Sequence, residues 1–289
     1  MVSKTRNTRR QFISTTLALG AALRFPAGAQ AAGSTSNSAL CRLSAEQEVG
    51  PYYIEDALLR SDITEGRPGI PLLLNIAIVD ERRCSPLANA IIDVWQCDAL
   101  GIYSGFTRQG ALPPGPPPPG APSFGPPPET GDRHGEPPPP PPSRPGDRLT
   151  FPRGVQRTDA RGNVVFQTIF PGVYPGRTNH IHFKVRVAAK AGDGSLSGEH
   201  VSHVGQIFFP EELTVELMRN RPYRDHKIRR TTLSDDGVFV DQQGAKSIAR
   251  VQAVDQSAVA NGLRAQIVAV VDPDASPAPA RRSPGAFRG

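Results

Sequence analysis

Cysteine is scarce in this 289-residue chain. There are three, Cys41, Cys84 and Cys97, and their spacing is not that of a structural zinc site. Apolar residues are few as well, at 38%, and the apolar run near the N-terminus stops well short of the ~20 residues that a membrane span needs. Helix-forming stretches are rare: with 31 Pro and 28 Gly, a helical bundle or a coiled coil is excluded, because both residues break helix interiors. Full disorder is excluded in turn by the grouping of the apolar residues into clear runs. Acids are missing from residues 1–31, which hold Lys4, Arg6, Arg9, Arg10 and Arg24. The formal net charge of +6 is mostly theirs, since the rest of the chain carries 28 basic against 27 acidic residues. The basic balance that would suggest a nucleic-acid partner is thus confined to one terminal segment, and no such partner is expected.

What is present divides the chain into unlike parts. Thr8-Arg9-Arg10-Gln11-Phe12-Ile13 leads into an apolar stretch through Leu23 and then Ala29-Gln30-Ala31. A basic start, a short apolar run and a small-residue cleavage site are the parts of an export signal. The paired arginines resemble a twin-arginine signal, which carries folded proteins out of the cytoplasm. Residues 1–31 are therefore expected to direct the chain to the periplasm or the exterior, with no membrane span after cleavage. Residues 111–148 form a Pro-rich insertion: 17 of the 31 prolines lie between Ala111 and Pro145. Such a tract cannot build a core, and it reads as a surface loop. Residues 273–289, rich in Pro, Ala and Arg, read as a disordered tail. Residues 32–110 and 149–272 remain, and they are expected to form the two parts of one interrupted domain.

The folded part reads as strands. Pro71–Val79, Ala90–Trp95, Val164–Ile169, Ile181–Val187, Val204–Phe209 and Leu263–Val271 are short, rich in β-branched residues and bounded by turn residues. Only Glu211–Asn220 has a helical pattern. The expected fold is all-β, a β-sandwich core with few short helices, a long Pro-rich loop insertion and disordered termini. In an exported protein two of the three cysteines can bridge. Cys84 and Cys97 flank one strand and its preceding turn and are the first expected pair, with Cys41 to either as the alternative.

The chemistry-bearing stretch is Thr168 to Phe183, which contains Tyr174, Arg177, His180 and His182. Residues two apart on a strand point to the same face, so His180 and His182 can share one metal ion. Tyr174 lies six residues upstream, behind a Pro-Gly turn that can fold it back over the same site. Phenolate is a hard anionic ligand, so tyrosine with histidine favours a hard oxidised ion, Fe(III) first. A second anionic oxygen is then expected, and Gly101-Ile-Tyr103-Ser-Gly supplies a candidate.

Three blocks resemble the intradiol ring-cleavage dioxygenases. Gly50-Pro-Tyr-Tyr53 is similar to the family's N-terminal segment, and Asn89 to Ser104 resembles the block holding its first tyrosine ligand. Arg153-Gly-Val-Gln-Arg-Thr-Asp through Lys184 resembles the block with the second tyrosine and the two histidines. The resemblance implies non-haem Fe(III) held by Tyr103, Tyr174, His180 and His182. It also implies a catechol substrate and O2, and ring cleavage between the hydroxyl-bearing carbons to a cis,cis-muconate-type diacid. It gives Tyr174 the place of the ligand that leaves the metal and accepts a substrate proton. Arg177 takes the place of the arginine that stabilises negative charge on the ring, and Gln206 that of a glutamine lining the pocket. Pro51 and Tyr52 are carried over as pocket residues.

Other readings of the same residues are open at this stage. Tyr103 could pack on Trp95, and Arg177 and Gln206 could be ordinary surface and strand polar residues. A non-enzymatic transthyretin-like β-sandwich binding module with a degenerate metal site is the main alternative to an enzyme. A zinc hydrolase using His180 and His182 lacks a third ligand at matching spacing. Tyr223, His134, His200, His203 and His226 read as solvated or structural. Few residues separate the signal from Gly50, too few for the family's helical dimer interface, and a homo-oligomer of another kind remains compatible with the sequence.

Overall fold

The computed structural model describes residues 41–55, 58–107, 145–190, 196–255, 258–278 and 280. The expected export signal and most of the proline tract, with His134, lie outside these residues. So does most of the expected tail. Nine strands build two sheets. The first sheet contains β1 (Pro71–Asp80), β2 (Ser85–Pro86), β5 (Asn163–Ile169), β8 (Arg250–Ala253) and β9 (Leu263–Val271). There β9 pairs parallel with β1, whereas β2, β5 and β8 run antiparallel to their neighbours. The second sheet has the order β4 (Arg153–Arg157), β3 (Ile91–Trp95), β6 (His180–Lys190), β7 (Leu196–Phe208), with every pair antiparallel.

The period of two explains how the sheets face each other. Along β1, Leu72, Leu74, Ile76 and Ile78 are buried while the residues between them are more open. They join Ile92 and Val94 of β3, Phe166 of β5, and Ile181, Phe183 and Val185 of β6 in one apolar core. This is the β-sandwich that the run lengths predict. The helices are α1 (Glu211–Leu217) and α2 (Gly237–Asp241), with several 3-10 turns besides. α1 stops three residues short of the expected Asn220, and α2 is an addition. Three strands also escape the sequence pattern, the two-residue β2 among them. In β4, Arg-Gly-Val-Gln-Arg shows no apolar alternation, and β8 is four residues long.

The disulfide differs from the first expectation. Cys41 bridges Cys84, with Cα atoms 5.6 Å apart, and Cys97 is a buried free thiol. The reason is the fate of the strand between the two expected partners. β3 is buried along its whole length and carries Cys97 into an aromatic cluster, while Cys84 stays at the turn ahead of β2, with φ +51°.

One face of the second sheet looks away from the core. The segment beginning at Cys41 runs from β9 of the first sheet, where Ser44 N–H donates to Val270 O at 2.9 Å, to the edge strand β7 of the second, where Gln47 N–H donates to Val204 O at 2.9 Å. On the outward face of the second sheet the register aligns Arg153, Trp95, His182 and Gln206 in one row across four strands. Among the described residues no helix is long and apolar enough to cross a membrane.

Candidate active site

The outward row is where the candidate residues gather. His180 and His182 leave β6 on the same face, and their Nε2 atoms are 3.1 Å apart. Trp95 stacks flat on His182, with centroids 4.9 Å apart and planes within 7°, which holds the ring upright. His180 Nδ1 is 2.7 Å from Thr178 O, so this nitrogen donates to the carbonyl and Nε2 is left as the acceptor.

Two loops bring the tyrosines to the histidines. Tyr174-Pro175-Gly176-Arg177 closes with Arg177 N–H donating to Tyr174 O at 3.1 Å, and Gly176 has φ +79°. Pro at the second position and a left-handed Gly at the third make a type II turn. The turn sets Tyr174 and Arg177 side by side, with Arg177 Nη1 3.3 Å from Tyr174 Oη, and Tyr174 Oη 3.3 Å from His180 Nε2. Tyr103 arrives on the loop after β3. Asp98 shapes that loop by accepting from Leu100 N–H and Ile102 N–H at 2.9 and 3.0 Å. Gly101, at φ +79°, lets it touch the Tyr174 loop: a Cβ there would come within 2.0 Å of Val173 O. The Tyr103 and Tyr174 rings end 5.6 Å apart, and Tyr103 lies 6.5 Å from the His182 ring.

The four rings are buried, and for three of them burial dominates the protonation. Burial, with the neighbouring tyrosine second, pushes the Tyr103 hydroxyl well above the ordinary phenol value, and burial likewise raises Tyr174. Burial, then His180 and Arg177, drives His182 well below the usual imidazole value, so its ring is neutral and can act as a ligand. Tyr103 Oη and His182 Nδ1 are buried without a hydrogen-bond partner. Such orphaned groups are uncommon in a folded interior. Among the described residues no group of three or more His, Cys, Asp or Glu gathers; two histidines meet two tyrosines instead. Two imidazoles, that of His182 held neutral by burial, and two phenols able to ionise next to a strong cation are a donor set suited to a hard ion such as Fe(III).

Arg177 is fully enclosed. Its Nε donates to Asp236 Oδ2 at 2.9 Å, its Nη2 donates to Gln206 Oε1, and Glu48 Oε1 is 3.8 Å from Nη1. Burial works to lower its pKa, but Tyr174, Asp236 and Glu48 outweigh it and hold the guanidinium charged. Gln206 is fixed in turn by Gln47 Oε1 on its backbone N–H and by donating to Glu48 O at 2.8 Å. Of the expected pocket residues, Tyr52 is buried and stacked on Tyr103 at 4.4 Å, whereas Pro51 is exposed.

Three residues of this arrangement carry no sequence signal. Asp236 lies 59 residues from Arg177 in an unremarkable Ser-Asp-Asp-Gly stretch. Its other oxygen accepts from Val238 and Phe239 N–H and caps α2. An Asp two residues ahead of an apolar run could have flagged a helix start, but not a link to Arg177. Gln47 and Gln242 join the strap to α2, with Gln242 Oε1 accepting from Glu48 N–H at 2.8 Å. The remaining residues expected to be structural behave in different ways. Tyr223 is buried and bridges Phe170 O and Ile70 N–H, and His203 pairs with Glu46.

Comparison with known proteins adds to this geometry. No protein-family model matches the chain, and no curated protein does. Solved structures do match. An intradiol ring-cleavage dioxygenase from Tetranychus urticae is 32% identical, with a TM-score of 0.61 over 81% of this chain and 96% of that one. A second solved dioxygenase is 33% identical, with the same TM-score and the same coverage of both chains.

Proposed function

The chain belongs to the intradiol ring-cleavage dioxygenase family, and on that premise we propose that it is a non-haem Fe(III) enzyme that uses O2 to open a catechol ring between its two hydroxyl-bearing carbons. The product would be a cis,cis-muconate-type diacid. The observation that carries this reading is the convergence of Tyr103, Tyr174, His180 and His182 on one buried point of the outer sheet face. These four would hold the metal. When bound there, the metal would supply the electronic activation of a catechol toward O2, chemistry that no side chain provides.

The side chains supply the rest. Burial raises the Tyr174 hydroxyl and Arg177 Nη1 beside it only partly offsets this; ionised by the bound metal, its oxygen would be placed to take a proton from a substrate hydroxyl. Arg177 is locked by Asp236 and Gln206, and presents a fixed positive charge toward negative charge building on the ring. Tyr52, Trp95 and Phe106 wall the site with apolar surface and limit water.

The same reading places the mature protein outside the cytoplasm, exported by the twin-arginine signal of residues 1–31. The Cys41–Cys84 bridge supports an oxidising compartment. A tyrosinate bound to ferric iron absorbs in the visible, so the iron-loaded protein is expected to be reddish and to consume O2 when given a catechol. Tyr103→Phe and Tyr174→Phe should each change that band. A colourless protein holding stoichiometric iron would overturn the tyrosine assignment.

A further inference from the structure

His180 and His182 leave one strand toward one point, yet the fold holds their rings by different means. His180 Nδ1 is tied to Thr178 O at 2.7 Å. His182 Nδ1 is buried and, among the described residues, has no hydrogen-bond partner. A metal-ligating imidazole is ordinarily fixed by a hydrogen bond from its second nitrogen, and His182 lacks that device. Its orientation rests on ring contacts instead. Trp95 lies flat against it, with centroids 4.9 Å apart and planes within 7°. Gly50 comes so near that a Cβ there would meet His182 Cε1 at 3.0 Å.

Trp95 has no polar anchor either, since its Nε1 is buried and unpartnered among the described residues. What it meets is Tyr53, edge to face, with centroids 4.8 Å apart. Tyr53 is the first member of this series that ends in a strong hydrogen bond. Its Oη donates to Asp93 Oδ2 at 2.8 Å, and Lys184 Nζ lies 3.4 Å from its ring centroid. Asp93 and Lys184 are both buried.

Strand register explains the layout. Trp95 stands opposite His182 across β3 and β6, and Asp93 stands opposite Lys184 two residues further along, on the same face of the sheet. Tyr53 touches members of both rows, and it comes from the Gly50-Pro-Tyr-Tyr53 segment, whose glycine borders His182. A hydrogen bond to a buried carboxylate is among the stronger ones a side chain makes, and edge-to-face ring contacts are directional. The chemistry described above gives Tyr52 a place in the pocket wall and leaves Tyr53 without a task.

We propose that Tyr53 is a positioning residue for His182. Anchored on Asp93, it fixes Trp95, and Trp95 sets the plane of an imidazole that has no hydrogen bond of its own. The proposal rests on the ferric dioxygenase reading, in which His182 is a metal ligand.

Tyr53→Phe removes the hydroxyl and keeps the ring, so the anchor is lost and the packing stays. On the iron-loaded protein it should speed iron release to EDTA about tenfold, the scale on which residues behind a metal ligand act. The line shape of the high-spin ferric EPR signal should change as well, because the ligand geometry around the metal shifts. Trp95→Leu should produce both changes, and Tyr53→Phe should add little to it, since the tyrosine acts through the tryptophan. Asp93→Asn weakens the same hydrogen bond from its other end and should move both readouts in the same direction. A merely structural tyrosine would lower the urea midpoint and leave iron release and the EPR signal at their wild-type values, and that result would overturn the proposal. So would effects of Tyr53→Phe and Trp95→Leu on iron release that multiply in the double variant. A wild-type protein that binds no ferric iron overturns the dioxygenase reading and this proposal together, whereas an iron-loaded site that Tyr53→Phe leaves unchanged overturns the proposal alone.

Discussion

Asp236 and Arg177 form a fully buried ion pair, Oδ2 to Nε at 2.9 Å, across 59 residues of chain. One carboxylate thereby fixes the plane of a guanidinium, receives Thr178 N–H at 2.8 Å and caps α2. Asp236→Asn keeps the shape and removes the charge. The expected result is a kcat loss of about tenfold or more, as for residues that orient a reacting group through another. Stability should fall by about 3 kcal/mol, because Arg177 is left buried without its main partner. In an Arg177→Gln background the same substitution should add little further loss of kcat. An additive loss would assign Asp236 a purely structural role.

Gly101→Ala tests the contact between the two tyrosine loops. The new Cβ meets Val173 O at 2.0 Å in a left-handed backbone conformation, so the loops must part. A stability loss of about 2–3 kcal/mol is expected from the strain. Iron retention through dialysis should fall along with it, since Tyr103 and Tyr174 separate. Full retention with an unchanged Tm would argue against the coupling.

Asp93 gives a pH dependence. It is buried under Tyr53, whose hydroxyl donates to it at 2.8 Å, and Lys184 Nζ lies 3.4 Å from the Tyr53 ring centroid. Burial raises its pKa from 3.8 to about 6, with Tyr53 and Lys184 only partly offsetting. The unfolded chain loses this proton first. Folding stability therefore falls as pH rises from about 4 to about 6, by about 3 kcal/mol from this group, and is level above. Urea denaturation at pH 4 and pH 7 should show that dependence in the wild type relative to Asp93→Asn. The same slope in both proteins would refute it.

The Cys41–Cys84 bridge closes a loop with a sequence separation of 43. On the chain-entropy account, Cys84→Ser costs about 4 kcal/mol. A reductant should move the urea midpoint of the wild type and leave that of Cys84→Ser in place. Cys97→Ser should keep the sensitivity to reductant, because its sulfur takes no part in the bridge.

How much of this was legible in the sequence depends on how far each signal reaches. Strands such as β1 and β9 declare themselves, since alternating burial needs only neighbours in sequence. His180, His182 and Tyr174 are legible for a similar reason, as one turn and one strand place all three. Tyr103 is legible only as a candidate from the need for a second anionic oxygen, and the resemblance singles it out, because a lone tyrosine after a strand looks like packing. Asp236, Gln47 and Gln242 were invisible: each acts through a contact more than 50 residues away, and polar residues in loops look alike. Arg153 shows the same limit. Its strand carries no apolar alternation, so its burial cannot be read from Arg-Gly-Val-Gln-Arg. The disulfide departs from the first expected pair because nearness in sequence is not nearness in space, and the buried strand β3 carries Cys97 away.

Gly146 N–H donates to Gly105 O at 2.6 Å, and Asp147 grips Gly105 and Thr107, so the chain departs before the proline tract and returns after it through one clasp. A segment whose two ends are already held together can change length at almost no thermodynamic cost, about 0.6 kcal/mol for each doubling. The clasp thus works as a docking port in the scaffold. It holds the departing and returning chain together between Tyr103 on one side and Arg153 on the other.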